Sequence, residues 1–256
     1  MDILNALTTT QKQQLIAYLQ EHVTDHKQRL MDEVLAARTR HITVVLENIF
    51  QPNNANAVLR SCECFGLQDV HIIEDLYEFR IKRDVVRGGA KWLTLHHYQE
   101  KGSLRHCVNQ LKQAGYVIAA TTLRPGAVSI RDLDIGQKIA LCFGTERDGL
   151  TEEAHELADI FVKVPMNGFT QSFNISVSAA LCLYELTGRL RQSQVNWQLT
   201  EAEQLALRAG WMIKSTKYGR PLTRHFFEKQ GWPIPEELAW DEILPERVLR
   251  DREEQE

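Results

Sequence analysis

The sequence predicts an α/β protein built on a parallel, doubly wound sheet. Short apolar runs rich in β-branched residues alternate with segments of helical periodicity, which is the pattern of parallel strands connected by helices. In addition, 43% of the 256 residues are hydrophobic and 25% are charged, a composition typical of one globular core with a small appendage. Ligands bind such sheets at the carboxyl ends of the strands, so we expect the functional site there.

The strands are predicted from apolar, largely β-branched runs that are too short for helices. Six such runs occur, at residues 42–46, 70–73, 92–95, 116–121, 139–143 and 161–164. Between them, periodicity and glycine stops predict helices at residues 54–65, 103–114, 152–158 and 174–190. Gly66 and Gly115 are the expected C-terminal stops of the first two helices.

Both ends of the chain are predicted to carry helical extensions. In residues 11–37, Leu15, Leu19 and Val23 recur at helical spacing, and Thr10 with Gln13 fits a capping box. Residues 198–235 are helical, basic and aromatic, and the Thr-x-x-Glu at Thr200 is a second capping box. The last twenty residues are acidic, and we expect them to be poorly ordered.

Bulk features limit the classes of function. No apolar run reaches the length of a membrane span, and the first residues lack the basic start and apolar core of a signal peptide. Five cysteines, an odd number without a C-x-x-C pair, argue against a disulfide framework or a zinc site. The nine histidines have no metal-ligand spacing. We therefore expect a cytoplasmic protein with reduced cysteines and with no metal and no membrane partner.

Common nucleotide-binding and hydrolase motifs are absent from the sequence. There is no G-x-G-x-x-G after a strand, no G-x-S-x-G and no H-E-x-x-H. Gly144 and Gly149 have P-loop spacing, but Leu150 and Thr151 stand where a P-loop has Lys and Ser or Thr. The cation that holds the phosphate is missing, so a P-loop is excluded.

Three segments carry the functional signal: PNNANAVLR at residues 52–60, LCFGTERDGL at 141–150 and QSFNIS at 171–176. In the last, Ser, Asn and Ser alternate where a helix begins, so hydroxyls, a carboxamide and free backbone N–H groups converge. Taken in order, the three resemble the signature motifs of the SpoU family of RNA 2′-O-methyltransferases. The resemblance covers roughly residues 40–191.

The resemblance implies a particular variant of the α/β fold. The fold would be a SPOUT-type, Rossmann-like parallel sheet in which residues from about 139 to 190 thread into a deep C-terminal trefoil knot. S-adenosyl-L-methionine would bind inside that knot. Residues 1–40 would be an N-terminal helical extension, 41–192 the methyltransferase domain, and 193–256 a basic C-terminal extension with an acidic tail.

The same resemblance implies two sets of site residues. Backbone groups of loops suit an adenosine-like ligand, because they read the base edge without long side chains. The residues implied to bind the cofactor are Thr121, Leu123, Gly144, Val164, Met166 and Phe173. The residues implied in catalysis are Arg60, Asn54, Glu146, Ser172 and Asn174.

Arg60 is implied to engage the RNA phosphate and to activate the 2′-hydroxyl. Its guanidinium pKa is too high for a general base, so polarisation assisted by the phosphate is the preferred role. A surface ion pair with Glu63, three residues on, is the structural alternative. For Asn54 the alternative is an N-cap, which is compatible with a role in the site.

Two further alternatives concern the second motif. Gly144 could be a plain strand-end glycine, although the Thr-Glu and Arg-Asp-Gly that follow it favour a functional turn. Glu146 is implied to organise the motif loops, and its alternative is a salt bridge to Arg147 or Arg40.

The charge distribution favours a nucleic-acid partner although the net charge is −4. Residues 208–229 carry six Lys or Arg against one Glu, and residues 80–91 carry five against one Asp. Local basic patches, not net charge, determine phosphate attraction, with a solvated charged face as the alternative. The expected RNA-binding residues are Arg38, Arg40, Arg83, Arg87, Lys214, Lys217, Arg220 and Arg224.

The two extensions resemble those of the family branch that methylates guanosine 18 in the D-loop of tRNA. Family enzymes are homodimers whose active site uses both subunits, which the resemblance implies here. Methylation of ribosomal RNA or of another tRNA ribose stays open within the class. From other classes, a knotted RNA-binding protein without activity is disfavoured by the intact motif residues, and a small-molecule α/β enzyme is disfavoured by the clustered cations.

Overall fold

The computed structural model describes residue 4 and residues 6–75 and 89–239. Its described residues divide into two compact units, one formed by residues 38–198 and one formed by parts of residues 1–37 and 199–256. The first unit contains the whole sheet. The second consists of helices from both ends of the chain.

A seven-stranded parallel sheet forms the first unit, in the order β3-β2-β1-β6-β4-β7-β5. The strands are β1 (Ile42–Glu47), β2 (Asp69–Ile73), β3 (Thr94–Tyr98), β4 (Tyr116–Thr121), β5 (Val128–Ser129), β6 (Lys138–Phe143) and β7 (Ile160–Lys163). The parallel sheet and the alternation of strands and helices confirm the predicted fold class.

Nine α-helices lie in the described part of the chain. They are α1 (Thr9–Gln20), α2 (Asp25–Ala36), α3 (Pro52–Cys64), α4 (Ser103–Gln113), α5 (Glu152–Leu157), α6 (Ile175–Gln192), α7 (Glu201–Ser215), α8 (Gly219–Gln230) and α9 (Glu236–Ala239). Short 3-10 turns precede β3 (Ala90–Trp92) and follow β5 (Ile130–Asp132). None of these helices is long and apolar enough to cross a membrane.

Two apolar clusters, one with α3 and α6 and one with α4 and α5, cover the sheet, which explains why its central strands are mostly apolar. All six residues of β1 are buried, and Val44 pairs with Val70 on one side and with Leu141 on the other. The connections from β1 run to β2 and β3 on one side of it, whereas β6 pairs with its other edge. The order of the strands therefore reverses between β1 and β6. Ligands in open α/β sheets bind at such a switch point.

The terminal extensions fold into one helical unit. Within it, Lys27 Nζ of α2 donates to the Ser215 carbonyl of α7 at 2.8 Å, and Tyr18 of α1 stacks on Phe226 of α8 at 4.7 Å between ring centroids. Leu15 and Leu19 on α1 are fully buried there. The N-terminal and C-terminal helices are therefore parts of one core, which their separation in sequence does not indicate.

The sequence places most element boundaries within two residues, and four details are corrected. The capping box of α1 joins Thr8 to Gln11, because Thr8 is the extended residue before the helix, so the predicted pairing of Thr10 with Gln13 is wrong. Pro52 occupies the first turn of α3 behind Gln51, so Asn54 is not its N-cap. Two strands also differ from the prediction: β3 starts only at Thr94, and the two-residue β5 carries no periodic signal.

Other local predictions are confirmed. Gly66 and Gly115 follow α3 and α4 with φ of 80° and 83°, the left-handed conformation of helix ends. The Thr200 capping box is present with Glu203. All five cysteines are free, and on α3 Cys62 is buried whereas Cys64 is exposed. The predicted contacts of Arg83 and Arg87, and the acidic tail beyond Ala239, lie outside the described residues.

Candidate functional site

A cavity of about 430 Å³ opens at the carboxyl edge of the sheet. Its walls come from the segments that leave β4, β6 and β7 and from the start of α6. The six residues predicted to bind the cofactor all line it: Thr121, Leu123, Gly144, Val164, Met166 and Phe173. Segments as far apart in sequence as residues 121 and 182 therefore meet at one edge, as the parallel topology requires.

The loop after β6 is a tight turn that only glycine at its start permits. Thr145 and Gly149 exchange backbone hydrogen bonds of 2.9 and 3.1 Å, and Asp148 N donates to Thr145 Oγ1 at 3.0 Å. A Cβ at Gly144 would lie 2.1 Å from the Gly149 carbonyl carbon and oxygen. Gly144 is therefore more than a strand-end residue, because the returning backbone occupies the place of a side chain.

Three of the five predicted catalytic residues form one hydrogen-bonded chain. Asn54 Nδ2, in the first turn of α3, donates to Glu146 Oε1 at 2.6 Å. Asn174 Nδ2 donates to Asn54 Oδ1 at 3.2 Å. Asn174 also caps α6, because its Oδ1 accepts from Ser176 N at 2.9 Å and from Ser176 Oγ at 2.6 Å. The chain joins all three sequence motifs.

The geometry of this chain fixes the orientation of each group. A carboxylate only accepts hydrogen bonds, so the amide nitrogen of Asn54 faces Glu146 and its oxygen faces Asn174. The salt bridges from Glu146 to Arg147 or Arg40 that the sequence left open are not among the contacts of the described residues. Ser172 and Glu146 line the cavity, so the chain reaches its wall.

Arg60 lies apart from this chain. It is exposed on α3 and does not line the cavity. Six residues at about 100° each place it about 120° around the helix from Asn54. The alternative of an Arg60–Glu63 surface pair is not among the contacts of the described residues, and Glu63 Oε1 instead accepts from Arg38 Nη2 at 2.9 Å. The guanidinium of Arg60 therefore lies on the surface of the unit formed by residues 38–198.

Arg38 was predicted to contact RNA, and this prediction is wrong. Its side chain is 0% exposed, and besides binding Glu63 its Nη1 donates to the Leu67 carbonyl at 2.6 Å. Burial lowers the pKa of the guanidinium, although the neighbouring Glu63 opposes the shift. Arg38 instead ties the end of α3 to the segment before β2. Arg40 is partly exposed and forms an ion pair with Asp69 at 2.8 Å.

The basic residues of the C-terminal extension are on the surface of the helical unit. Lys214, Lys217 and Arg220 are exposed, whereas Arg224 Nε donates to Glu228 Oε1 at 3.1 Å. A second cavity, of about 490 Å³, lies at the corner between α7 and α8 and is lined by Lys214, Tyr218 and Arg220 among others. This placement is compatible with the predicted phosphate contacts.

Sequence reasoning missed a buried acid beside the site. Glu47 ends β1 and is 2% exposed. Its carboxylate accepts from Thr151 Oγ1 at 2.6 Å and from Thr151 N at 2.9 Å. Burial raises the pKa of Glu47, against the opposing effect of these hydrogen bonds. The sequence does offer one signal for it, an acidic residue at the end of a mostly apolar strand. In the described residues, no group of three or more His, Cys, Asp or Glu is arranged to hold a metal ion.

The sheet, the cavity and the three joined motifs define the class of protein. Residues 41–184 match the model of the SpoU rRNA Methylase family. The chain is also similar to the tRNA (guanosine(18)-2′-O)-methyltransferase of Borreliella burgdorferi, with 40% identity over 211 residues, 82% of this chain and 92% of that protein. This chain therefore belongs to the SpoU methylase family.

Solved structures show the same relationship. The A. aeolicus TrmH/SpoU tRNA modifying enzyme is 25% identical, with a TM-score of 0.66 over 74% of this chain and 96% of that one. The SpoU methyltransferase AviRb from Streptomyces viridochromogenes, solved in complex with the cofactor AdoMet, is 24% identical, with a TM-score of 0.53 over 63% of this chain and 62% of that one. The second likeness supports the fold.

Proposed function

We propose that this chain methylates the ribose 2′-hydroxyl of guanosine 18 in the D-loop of tRNA, with S-adenosyl-L-methionine as the methyl donor. The observation that carries the proposal is the cavity lined by all six expected cofactor residues, with the Asn54–Glu146–Asn174 chain at its wall. The named activity of the B. burgdorferi relative, which this chain matches along 92% of its length, supports the tRNA nucleotide.

The cavity fits the cofactor in size and in chemistry. About 430 Å³ is within the range of small-molecule sites, and its walls combine loop backbone with the apolar side chains of Leu123, Val164, Met166 and Phe173. These would hold the adenosine and the methionine part, and Thr121 and Gly144 would present backbone groups. The bound cofactor supplies an electrophilic methyl group on a sulfonium.

On the acceptor side, the chain's own residues would orient the ribose and its phosphate. Arg60 offers a planar fork that grips phosphate. Because an arginine side chain stays protonated in proteins and cannot accept the proton, it would hold the phosphate so that a phosphate oxygen accepts a hydrogen bond from the 2′-hydroxyl. Glu146, held by Asn54, and Ser172 would fix the loops around the acceptor, and Asn174 would fix the start of α6.

A homodimer would complete the site. Val177, Leu181 and Tyr184 are 44%, 39% and 70% exposed and form an apolar stripe along α6. Since Arg60 does not line the cavity of its own chain, a second subunit would provide the cavity that it serves. Leu181→Asp should convert a dimer into monomers in sedimentation experiments, whereas Leu30→Asp, at an exposed leucine of α2, should not. Monomeric wild-type protein would contradict the dimer.

The knot and the cellular location belong to the same proposal. Residues from about 139 to 190 would form the trefoil knot around the cofactor. Mechanical stretching from the two termini tests it, because a knotted chain extends to a shorter length than an unknotted chain of 256 residues. A tRNA substrate and five free cysteines are consistent with the cytoplasm, which labelling of the protein in intact cells would check.

The direct test uses purified protein, unmodified tRNA transcript and donor labelled on the methyl group. The expected result is one labelled methyl group per tRNA at guanosine 18. A matched transcript with 2′-deoxyguanosine at position 18 should accept none, because it lacks the acceptor oxygen. Equal labelling of both transcripts, or labelling only of ribosomal RNA, would contradict the proposed substrate.

A further inference from the structure

Helix α5 connects two strand ends of the sheet through buried polar groups. Thr151 caps the helix, accepting from Ala154 N at 3.2 Å while it donates to Glu47 at the end of β1. One turn later, His155 is buried, with Nδ1 2.8 Å from the Thr151 carbonyl oxygen. Its Nε2 lies 3.1 Å from Oγ1 of Thr122, the first residue after β4. The chain Glu47–Thr151–His155–Thr122 therefore spans from β1 to β4.

The contacts of His155 determine its tautomer. The Thr151 carbonyl only accepts, so Nδ1 carries the proton that is donated to it. In the neutral ring, Nε2 then accepts the hydroxyl proton of Thr122. Thr122 Oγ1 in turn accepts from Arg124 N at 3.3 Å. The imidazole thus sets the direction of the Thr122 hydroxyl, and that hydroxyl holds the backbone of the turn that follows β4.

This turn forms part of the cavity wall. Residues 121–124 and His155 all line the cavity, and two of them, Thr121 and Leu123, belong to the expected cofactor set. The far end of the turn is also fixed to α5, because the Arg124 guanidinium binds both carboxylate oxygens of Glu152. That ion pair is exposed, so it constrains the turn less than the buried imidazole does.

We propose that His155 is a positioning residue for cofactor binding, acting through the Thr122 hydroxyl to hold residues 122–124 in the conformation that receives S-adenosylmethionine. This inference rests on the function proposed above. His155 takes no part in the hydrogen bonds of the Asn54–Glu146–Asn174 chain. Its loss therefore acts on the binding of the donor and leaves the transfer step intact once the donor is bound.

His155→Phe tests the proposal, because phenylalanine can keep the edge contact with Phe161, at 5.6 Å between ring centroids, but makes neither hydrogen bond. The KM for S-adenosylmethionine should rise about 5- to 30-fold, the effect of losing one or two buried hydrogen bonds, with kcat at saturation changed by less than about two-fold. His106→Phe, an exposed histidine of α4, is the matched control and should change neither constant.

Variants of Thr122 provide a second test, which does not depend on whether His155→Phe folds. Thr122→Val should raise KM similarly, and Thr122→Ser, which keeps the hydroxyl, should recover most of the lost affinity. The double variant His155→Phe/Thr122→Val should lose less affinity than the sum of the two single losses, because both substitutions remove the same His155–Thr122 hydrogen bond. Additive losses, or an unchanged KM in Thr122→Val, would overturn the inference. Wild-type protein that does not bind S-adenosylmethionine would instead refute the proposed function.

Discussion

Replacing Gly144 by alanine should disable the cavity while leaving the rest of the sheet intact. The added Cβ would lie 2.1 Å from the Gly149 carbonyl group and 2.2 Å from Leu150 N, and backbone cannot move aside as a flexible side chain can. The turn would have to open, which breaks the paired hydrogen bonds between Thr145 and Gly149. Overpacking and two lost hydrogen bonds together cost about 3 kcal/mol.

That free energy can be divided between folding and binding, and two assays measure it. Urea unfolding should show a loss of stability, calorimetry should show S-adenosylmethionine affinity reduced by up to about 100-fold, and the two losses together should come to about 3 kcal/mol. Gly188→Ala is the matched control for binding, because Gly188 of α6 does not line the cavity and a Cβ there meets no atom within 4 Å, so the affinity for S-adenosylmethionine should stay within about two-fold of wild type. Gly144→Ala binding within about three-fold of wild type would refute the reasoning.

Three further predictions concern catalysis, RNA binding and pH. Arg60→Ala should slow single-turnover methylation more than about 100-fold with cofactor affinity retained, and Arg60→Lys should not restore it, because lysine lacks the planar fork; rates within a few-fold of wild type would contradict this. The second variant has alanine at Lys214, Lys217, Arg220 and Arg224. In filter binding it should bind tRNA more weakly, and the slope of log affinity against log salt should fall by about one unit per lost phosphate contact. An unchanged slope would show that these residues form a solvated face. Burial lowers the pKa of His71 from its ordinary 6.5 to about 4. The unfolded chain therefore takes up the proton first, and denaturant unfolding should show stability falling by up to about 3 kcal/mol as pH drops from 6.5 towards 4, a component that His71→Phe should lack.

Local features of the fold were predictable because they depend on neighbouring residues. The strand at residues 116–121 follows from a β-branched and apolar run, and the structure gives β4 those bounds. Gly66, Gly115 and the Thr200 capping box follow from backbone conformation and from the needs of helix ends. The cofactor set was implied by the resemblance to the SpoU family, and all six residues line one cavity.

Long-range features were not predictable, because they have no local period. Arg208 of α7 forms an ion pair with Asp32 of α2, 176 residues earlier, and this joins the two extensions in one unit. The sequence predicts that Arg38 contacts RNA, but its guanidinium is buried and binds Leu67 and Glu63, which are distant in sequence. The positioning role proposed for His155 of α5 depends likewise on a distant residue, Thr122, which follows β4 and is 33 residues away in sequence.

Nucleoside analysis of tRNA tests the central claim most directly. In tRNA from cells that lack this protein, 2′-O-methylguanosine should be absent from position 18. A gene for the wild-type chain should restore it, whereas a gene for Arg60→Ala should not. Persistence of the methyl group at position 18, or its loss from ribosomal RNA instead, would contradict the assignment of this chain as a tRNA guanosine-18 ribose methyltransferase.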